Sequence, residues 1–482
     1  MKFTKFGKAL LMGAISIALL FCVTSCVESY SVGYLYVTGT DTAQSSGNGI
    51  ISGYSIDHNT GKLTLVRTLP VSSGGANPVR AILTGNSRFL YVLNRGTNAT
   101  GGDCTTADWC TGSNITLFAV GGNGVLTQQE QFPTLGINPF RMIADPSQSY
   151  IYVLDHDSPV PTDPSNPNSP VVPSSLPNYP NQYCAAALTG ARVCAAVEAY
   201  SINQSTGRLS LIEDNAVTAA GGSPLTYFPV PSNPVDFILN SQYLLTLSST
   251  TPQTSYPYTG GSTVFPYLFP GTGQLTITSN SAQTITDSSQ SGVINEHGVP
   301  NGTALSAGGA FLYVLDDNPI YLNGSSTYTS QSQILQYKIG TNGTLDAQNG
   351  GSVPDDPAQS NPSFAVQESK GKWVYVANQG IDINSGASQN GITGYIIDPT
   401  TSQLTELSGL PFTTGAGPQC LVEDPSDQFF YTANYYDSTV TGNSLDVNSG
   451  YLVPLSQNHN NVPSSYTLPG PATWCLIDGR TN

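Results

Sequence analysis

The stretch "SRFLYVLNRG" (residues 87–96) recurs along the chain in altered form. Each copy is a run of aromatic and β-branched residues, and most copies end in polar residues. The seven copies are "GYLYVTGT" (33–40), "SRFLYVLNRG" (87–96), "SYIYVLDH" (149–156), "QYLLTLSS" (242–249), "AFLYVLDD" (310–317), "KWVYVANQ" (372–379) and "QFFYTANY" (428–435). Aligned on the central tyrosine, which is replaced by Leu245 in the fourth copy, they stand 55, 61, 93, 68, 62 and 56 residues apart. A period of this size, with its variation confined to inserts, predicts a repeat architecture.

Each repeat contains four segments of strand composition. The stretch that begins at Asn77 shows them well: "NPVRAILTG", "RFLYVLN", "ITLFAV" and "VLTQQEQF" are separated by Gly-, Asn- and Pro-containing turns and have no helical period. Seven units of four antiparallel strands predict an all-β fold, a seven-bladed β-propeller that forms a single domain over residues 30–482. We name the strands of a blade a to d, from the central axis outwards.

The two ends of the chain predict how the ring closes. The first repeat lacks a strand a, and the last repeat is followed by "GPATWCLID" (470–478), which is similar to "GPQCLVED" (417–424). We therefore expect residues 471–478 to pair with residues 33–38, because this arrangement completes the first blade and removes two exposed sheet edges.

The repeats resemble those of a known family. "YVLNRG" (91–96), "YVANQG" (375–380) and "ISGYSIDHNTGKL" (51–63) are similar to YVTN-type repeats of the lactonase-type seven-bladed propellers. This family includes 6-phosphogluconolactonases and, more distantly, fungal muconate-lactonising enzymes. The resemblance implies a hydrolase that opens a sugar-type lactone. Similar repeats also occur in surface propellers that are not known as enzymes, so the alternative is a non-catalytic protein that binds glycan, peptide or an envelope protein.

The first 26 residues have the composition of an export signal. Lys2, Lys5 and Lys8 precede an apolar run that is too short to span a bilayer comfortably, and "VTSC" ends at Cys26. The ending resembles the lipobox of bacterial lipoproteins and implies lipidation of Cys26, with Val27 favouring an outer-membrane or surface location. The alternative is an ordinary cleaved secretory signal.

The composition excludes one class of partner. The net charge is −16, and loss of the three leader lysines makes it −19, so the chain lacks the basic surface that nucleic acid requires. Membrane contact is expected only through the lipid anchor. The sequence contains no motif for a cofactor or a metal site, and the catalytic G-x-S-x-G and H-E-x-x-H patterns are absent.

Six cysteines remain after Cys26, and an exported protein can form disulfides. Two pairs stand close in sequence within long loops, which predicts the disulfides Cys104–Cys110 and Cys184–Cys194. Cys420 and Cys475 are the third candidate pair. Their equivalent positions in neighbouring repeats leave open whether they point towards each other.

The candidate site lies at one end of the propeller. The a–b and c–d turns are short, whereas the b–c and d–a connections at the other end are long, and the longest insertion covers about residues 156–196. Long loops on one face of a rigid scaffold often bind ligands, although they are also tolerated as variable surface padding. Strand b delivers polar residues to this face, and we take as candidate ligand-binding residues Asn94, Arg95, Asp316, Asn378 and Asn434, with Ser248 and Asp155 at equivalent positions. The alternative is that these side chains cap strand ends by binding local backbone.

Strand a begins on the same face. One position in successive strands a is occupied by Arg80, Arg141, Asp236, Thr303, Phe364, Cys420 and Cys475. Arg80 and Arg141 suit a carboxylate, a phosphate or a developing oxyanion, and Asp236 is a further candidate ligand-binding residue. The alternative is that the arginines pair with Asp155, Asp236 or a loop acid.

Three histidines are expected at this face: His156, His297 and His459. His156 directly follows Asp155, so either residue is a candidate for activating water while the two arginines hold the lactone oxygen. His297 is a candidate ligand-binding residue. For each histidine the alternative is an exposed loop residue without a role in chemistry.

Overall fold

The computed structural model describes most of the chain from residue 30 onwards. The described residues are 30–42, 48–84, 87–98, 100–102, 104, 110–157, 170–171, 185–186, 192–193, 195–219, 224–231, 233–249, 262–269, 271–278, 283–284, 300–305, 309–316, 319–321, 328–330, 332–380 and 389–479. The predicted lipidation site Cys26, the predicted ligand-binding residue His297 and the predicted disulfide of Cys184 and Cys194 lie outside these residues.

Seven antiparallel sheets form the ring, as predicted. Strands a are Ala472–Asp478, Pro78–Thr84, Pro139–Ala144, Pro234–Leu239, Pro300–Leu305, Pro362–Gln367 and Pro418–Glu423. Strands b are Ser31–Thr40, Phe89–Asn94, Tyr150–Asp155, Tyr243–Ser249, Phe311–Asp316, Trp373–Asn378 and Phe429–Asn434. Strands c are Asn48–Asp57, Asn114–Val120, Ala195–Ile202, Ser262–Leu268, Gln333–Ile339, Gly391–Ile397 and Thr439–Leu445. Each strand a lies against the strands a of both neighbouring blades, and the seventh returns to the first.

The outer strands are shorter and less regular. They are Leu63–Leu65, Val71–Ala76, Leu126–Pro133, Leu209–Leu211, Phe228–Val230, Thr276–Ile277, Gln283–Thr284, Leu345–Pro354, Leu404–Glu406, Leu452–Pro454 and Ser465–Thr467. Small accessory sheets contain Pro170–Val171, Ala185–Ala186, Arg192–Val193, Asp214–Ala219, Pro224–Leu225, Pro319–Tyr321 and Tyr328–Ser330. Two short helical turns are Thr341–Gly343 and Leu455–Asn458, and no helix among the described residues is long and apolar enough to cross a membrane.

The chain termini close the ring in the predicted way. The C-terminal strand pairs antiparallel with the first strand b, from Tyr34 opposite Asp478 to Gly39 opposite Ala472. The structure also pairs Cys475 in this strand with Cys420 in the seventh blade, with 5.9 Å between their Cα atoms. The ring is therefore closed by a shared sheet and by a covalent bond between its first and last blades.

The repeated tyrosine joins neighbouring blades. Its hydroxyl donates a hydrogen bond to a carbonyl in the c–d turn of the next blade: Tyr375 to Gly450 at 2.7 Å and Tyr431 to Gly61 at 2.7 Å are two examples. The turn glycines have positive φ, 65° at Gly61 and 78° at Gly450. A Cβ there would also contact the aromatic ring that opens strand b of the adjacent blade. The tyrosine and the turn glycine thus form one packing unit, because burial of the ring also requires a partner for its hydroxyl.

Hydrophobic cores lie between adjacent sheets rather than at the axis. One of them packs Tyr91 and Leu117 of the second blade against Ile151, Val153 and Tyr200 of the third. Each sheet is buried on both faces, and so the repeats alternate less strictly between apolar and polar residues than a half-exposed sheet does.

A β-bulge interrupts strand a of every blade near the loop-rich end. The bulged residues are Thr473, Val79, Phe140, Val235, Asn301, Ser363 and Gln419. Bulges redirect side chains and are frequent next to functional sites. Here they place an extra residue of each innermost strand at the mouth of the central channel.

The register corrects the predicted ring of equivalent positions. Arg80 pairs with Leu93 and Arg141 with Leu154, but the equivalent residues are Gly302 in the fifth blade and Trp474 in the first. The sequence alignment had given Thr303 and Cys475. Both lie one residue further along the strand than the residues whose pairing matches that of Arg80 and Arg141.

Candidate functional site at the channel mouth

A cavity of about 420 Å³ opens at the loop-rich end of the channel. It is lined by Val79, Arg80, Arg141, Asn361, Ser363, Gln379, Gln419, Tyr435 and Thr473, and we call it the channel-mouth cavity. Four of these residues are the bulged residues of strands a, and two follow strands b. The cavity therefore results from the two features of the repeat that face this end, and its volume is typical of small-molecule sites.

Arg80 provides a positive charge to the cavity. Its guanidinium carbon lies 3.6 Å from the centre of the Trp474 ring, and the Trp474 indole NH donates to the Ala81 carbonyl at 3.1 Å. Burial, and next the charge of Arg141, lower the pKa of Arg80, while Asp236 opposes the shift. A guanidinium stays protonated in proteins. Within the described part of the chain, no carboxylate forms an ion pair with Arg80.

Arg141 has a carboxylate partner. Its Nε atom lies 3.1 Å from Oδ1 of Asp236. The other oxygen of Asp236 accepts hydrogen bonds from the backbone N–H of Thr303 at 2.9 Å and from its hydroxyl at 3.0 Å. The alternative raised by the sequence, pairing of an arginine with Asp236, is thus realised for Arg141 and not for Arg80.

Trp474 lies across the channel beneath the cavity. It belongs to the first blade, stacks on Arg80 of the second, and meets the ring of Phe364 in the sixth edge-on, with 5.1 Å between ring centroids. Contacts to two other blades fix the orientation of the indole. A ligand that contacts Arg80 in the cavity would therefore meet a guanidinium whose position is fixed by the indole.

The polar residues that end strands b lie inside their blades. Asn94, Asn378 and Asn434 are fully buried, and none of them lines the cavity. The Asn94 amide donates to Thr116 Oγ1 at 3.1 Å and its oxygen accepts from Ser73 at 2.7 Å. Asn434 makes the same kind of contacts with Thr441 and Thr414, and Asn378 donates to Thr393.

The acidic member of this set in the fifth blade has the same environment. Asp316 is 1% exposed and accepts a hydrogen bond from Gln333 at 2.9 Å. Ser248 is fully buried and donates to the Pro231 carbonyl. These contacts join strand b to the neighbouring segments, which is the environment of a strand-end capping residue.

Asp155 belongs to a second group of charged residues, which we call the closed acid cluster: Asp155, Glu198, Tyr200 and Arg95. Asp155 and Glu198 are fully buried between the second and third blades. The N–H of Asn138 donates to Asp155 Oδ1 at 2.8 Å, and Tyr200 donates to Glu198 at 2.5 Å. Asp155 Oδ2 and Glu198 Oε1 have no hydrogen-bond partner among the described residues.

Burial dominates the electrostatics of this cluster. It raises the pKa of Asp155, and the charge of Glu198 raises it further, while the Asn138 N–H and Arg95 act in the opposite direction. Burial also raises the pKa of Glu198, against the hydrogen bonds from Tyr200 and from the N–H groups of Leu135 and Gly136. Arg95 donates to the Cys104 carbonyl at 2.9 Å and to the Asn138 side chain. None of the four residues lines the channel-mouth cavity.

The histidines are not gathered at the cavity. The His156 side chain is 18% exposed, and its Nδ1 lies 3.1 Å from Asp157 Oδ2. His156 does not line the cavity. His459 was expected at the loop-rich face, but its ring meets Phe429, at the opposite end of strand b, with 6.4 Å between centroids. The short strand Leu452–Pro454 explains this, because the connection after it begins before the loop-rich end is reached.

The comparisons with known proteins agree with this architecture. A family model described as "Lactonase, 7-bladed beta-propeller" matches residues 47–160 and 328–467, which is more than half of the chain. The chain belongs to the lactonase family of seven-bladed propellers. No curated protein sequence matches it.

Two solved structures show how far the similarity of this lactonase-family protein extends. One is the periplasmic gluconolactonase of Pseudomonas aeruginosa, with a TM-score of 0.57 and 17% identity over 92% of this chain and 99% of the other. The second is a proposed 6-phosphogluconolactonase of Bacteroides fragilis, with a TM-score of 0.56 and 13% identity over 94% and 99%. At such identities the likeness shows the fold alone.

Sequence reasoning missed three residues of the lactonase-family protein that matter here. Trp474 was hidden because the C-terminal strand was aligned on Cys475. Counting two residues from the proline that opens strand a gives Gly302 correctly in the fifth blade, but the C-terminal strand opens at Ala472, one residue after its proline. Glu198 and Tyr200 lie in a strand c and carry no local sign of their partner in strand b.

The described residues contain no group of three or more His, Cys, Asp or Glu placed to hold a metal ion.

Proposed function

We propose that the channel-mouth cavity binds a sugar-type lactone and that the protein hydrolyses it. The observation that carries this proposal is the Arg80 guanidinium, stacked on Trp474 and without a carboxylate partner among the described residues. Such a group can donate hydrogen bonds to the lactone carbonyl oxygen. It would stabilise the oxyanion that forms when water attacks, and it needs no reorganisation at that moment.

The rest of the lining suits a polyhydroxylated ring. Asn361, Ser363, Gln379, Gln419 and Thr473 offer neutral donors and acceptors. Tyr435 is 38% exposed at the rim, where its ring can pack against the apolar face of a sugar. A small number of polar groups around one charged residue is typical of sites that orient an uncharged polar ligand.

The group that activates water is not assigned by the described lining, which contains no carboxylate and no imidazole. Asp155 is closed off from the cavity, and His156 is held by Asp157 outside it. We therefore rest the proposal on stabilisation of the oxyanion by Arg80. The same observation favours a second candidate function, the binding of a glycan or a sugar acid without catalysis.

A lactone panel separates the two functions. The chain from Val27 to Asn482, which contains every described strand, would be tested for acid release from aldonolactones above their spontaneous rate. Hydrolysis that disappears in Arg80→Ala supports the lactonase function. Absence of hydrolysis together with Arg80-dependent binding of sugar acids supports the binding function, and absence of both rejects the cavity as the site.

We further propose that the protein is exported and anchored to the membrane through a lipid on Cys26, on the strength of the leader composition. Growth with radiolabelled palmitate tests this directly. The full-length protein should carry label and partition with membranes, whereas Cys26→Ala should carry none. Equal labelling of the two proteins would reject the anchor.

A further inference from the structure

The channel-mouth cavity is built around three charged side chains. Arg80 and Arg141 face it, and Asp236 lies behind Arg141 at 3.1 Å. The other described lining residues are neutral. Two positive charges and one negative charge leave the cavity with a net charge of about +1, and Asp236 is the residue that limits it to this value.

The sequence segments that join strand b to strand c, or strand d to the next strand a, contain few basic residues. Residues 158–169, 250–261, 285–299 and 381–388 contain no Lys and no Arg, but they contain Asp163, Asp287, Glu296 and Asp382. The long insertion of the third blade contributes one basic residue, Arg192. Arg95, at the end of its strand b, is already engaged by Asn138 and the Cys104 carbonyl.

A site for a phosphorylated sugar needs more positive charge than this cavity offers. A phosphate monoester carries about −1.5 to −2 charges at neutral pH and is usually bound by several cationic or N–H donors. A lactone carbonyl or a single carboxylate can be bound by one cationic donor. We propose that Asp236 determines specificity by cancelling the charge of Arg141, so that the cavity accepts an unphosphorylated lactone and its monoanionic product and rejects phosphorylated ones. This inference rests on the proposed lactonase function.

The test compares gluconolactone with its 6-phosphate on the purified protein at pH 7. We expect kcat/KM to be at least tenfold higher for the unphosphorylated lactone. Asp236→Asn keeps an oxygen for the Thr303 N–H but removes the negative charge, and it should shift the ratio at least tenfold towards the phosphorylated substrate. Asp427→Asn removes an acid that is paired with Lys370 at the opposite end of the propeller, and it should leave the ratio unchanged.

A second variant tests the same idea without touching Asp236. Gln419→Lys adds a positive charge to the lining and should also shift the ratio towards the phosphorylated lactone. An equal or higher kcat/KM for the phosphorylated lactone in the unmodified protein would overturn the inference. An unchanged ratio in both Asp236→Asn and Gln419→Lys would overturn it as well.

Binding of simple anions distinguishes failure of this inference from failure of the proposed function. Quenching of Trp474 fluorescence would be followed with gluconate and with inorganic phosphate, using Trp474→Phe to identify the signal. If no lactone is hydrolysed, the lactonase proposal fails. Tighter binding of gluconate than of phosphate, reversed in Asp236→Asn, would still support the inference that Asp236 sets the charge of the cavity. Tighter binding of phosphate to the unmodified protein, or no binding of either anion, would overturn it.

Discussion

The channel-mouth cavity and the closed acid cluster lie at the same end of the propeller, and both contain charged side chains. They differ in what surrounds the charge. In the cavity, Arg80 rests on an aromatic ring and faces open space among neutral polar groups. In the cluster, Asp155 and Glu198 are sealed between two blades, and each has one oxygen without a hydrogen-bond partner among the described residues.

The difference follows from the position of each residue in its blade. Arg80 lies in strand a, next to the bulge, where side chains reach the axis. Asp155 ends strand b opposite Ala196, Glu198 lies two residues further along strand c of the same sheet, and both carboxylates are fully buried. Closeness in sequence to a loop-rich face is thus a poor guide to access, and the strand that carries a residue decides it.

The largest expected effect concerns ring closure. The closure bond includes Cys475, the neighbour of Trp474, and it includes no residue of the closed acid cluster. The Cys420–Cys475 bond closes a segment of 55 residues, and the chain-entropy model gives such a loop about 4 kcal/mol. The double variant Cys420→Ser/Cys475→Ser should lose about this much unfolding free energy in urea titrations and should bind ligand less tightly, because Trp474 precedes Cys475.

The matched control is Cys104→Ser/Cys110→Ser, whose bond closes a segment of 6 residues. It should cost only about 2 kcal/mol. A larger loss in this control than in the closure variant would contradict the role of the closure bond.

The next effect separates the two regions by activity. Arg80→Ala should lower kcat/KM by about 30- to 1,000-fold, which corresponds to the loss of one charged hydrogen bond in the transition state, with little change in melting temperature. Arg88→Ala is the matched control: Arg88 lies in the same hairpin at the opposite end and stacks on Phe89. A full loss of activity in the control would show that hairpin stability, rather than the cavity, is being measured.

Asp155→Asn should have the opposite effect to Arg80→Ala: it should change the stability of the protein and leave its activity unchanged. The pKa of Asp155 is raised, so the folded state holds its proton more tightly than the unfolded state does. The contribution of Asp155 to the unfolding free energy therefore decreases as pH rises above about 4, the pKa of an unfolded aspartate. Asn keeps an acceptor for the Asn138 N–H and removes the charge, so the variant should be more stable by about 1–3 kcal/mol at neutral pH.

Urea unfolding at several pH values measures this change. The gain in stability should grow as pH rises from about 4 towards neutral, and lactone hydrolysis should remain close to that of the unmodified protein. Destabilisation at pH 8, or a hundredfold loss of hydrolysis, would show that Asp155 belongs to the functional site rather than to a closed structural cluster.

The smallest effect concerns His156. Its ring is held by Asp157 and lies outside the cavity lining, so His156→Ala should change kcat/KM by less than about threefold. General base catalysis typically contributes about 10²- to 10⁴-fold. A loss of that size, confined to kcat and accompanied by a changed pH–rate profile, would restore His156 as the group that activates water.

The sequence predicted the fold well because its signals are local and repeated. The tyrosine of strand b recurs in six of the seven repeats, and its contact with the c–d turn of the next blade, often at a glycine, links neighbouring blades. The pairing of the C-terminal strand could be predicted for the same reason, since only that strand was missing from the first blade.

The site was predicted only in part. Arg80 and Arg141 were found because arginine is unusual in an innermost strand. Trp474 and Gly302 were missed because alignment on composition places the innermost strands of the first and fifth blades one residue out of register with the others. The buried amides of Asn94 and Asn434 were open to two interpretations, since a strand-end residue is equally suited to face solvent or to join segments of its own blade.

The central claim is that the ligand is held at Arg80 above Trp474. A crystal structure of the protein soaked with gluconate, the acid formed from gluconolactone, tests it most directly. The account predicts the ligand carboxylate within about 3 Å of the Arg80 guanidinium, with the sugar chain among Gln379, Gln419 and Tyr435. A ligand bound elsewhere on the loop-rich face, with Arg80 unchanged above Trp474, would contradict it.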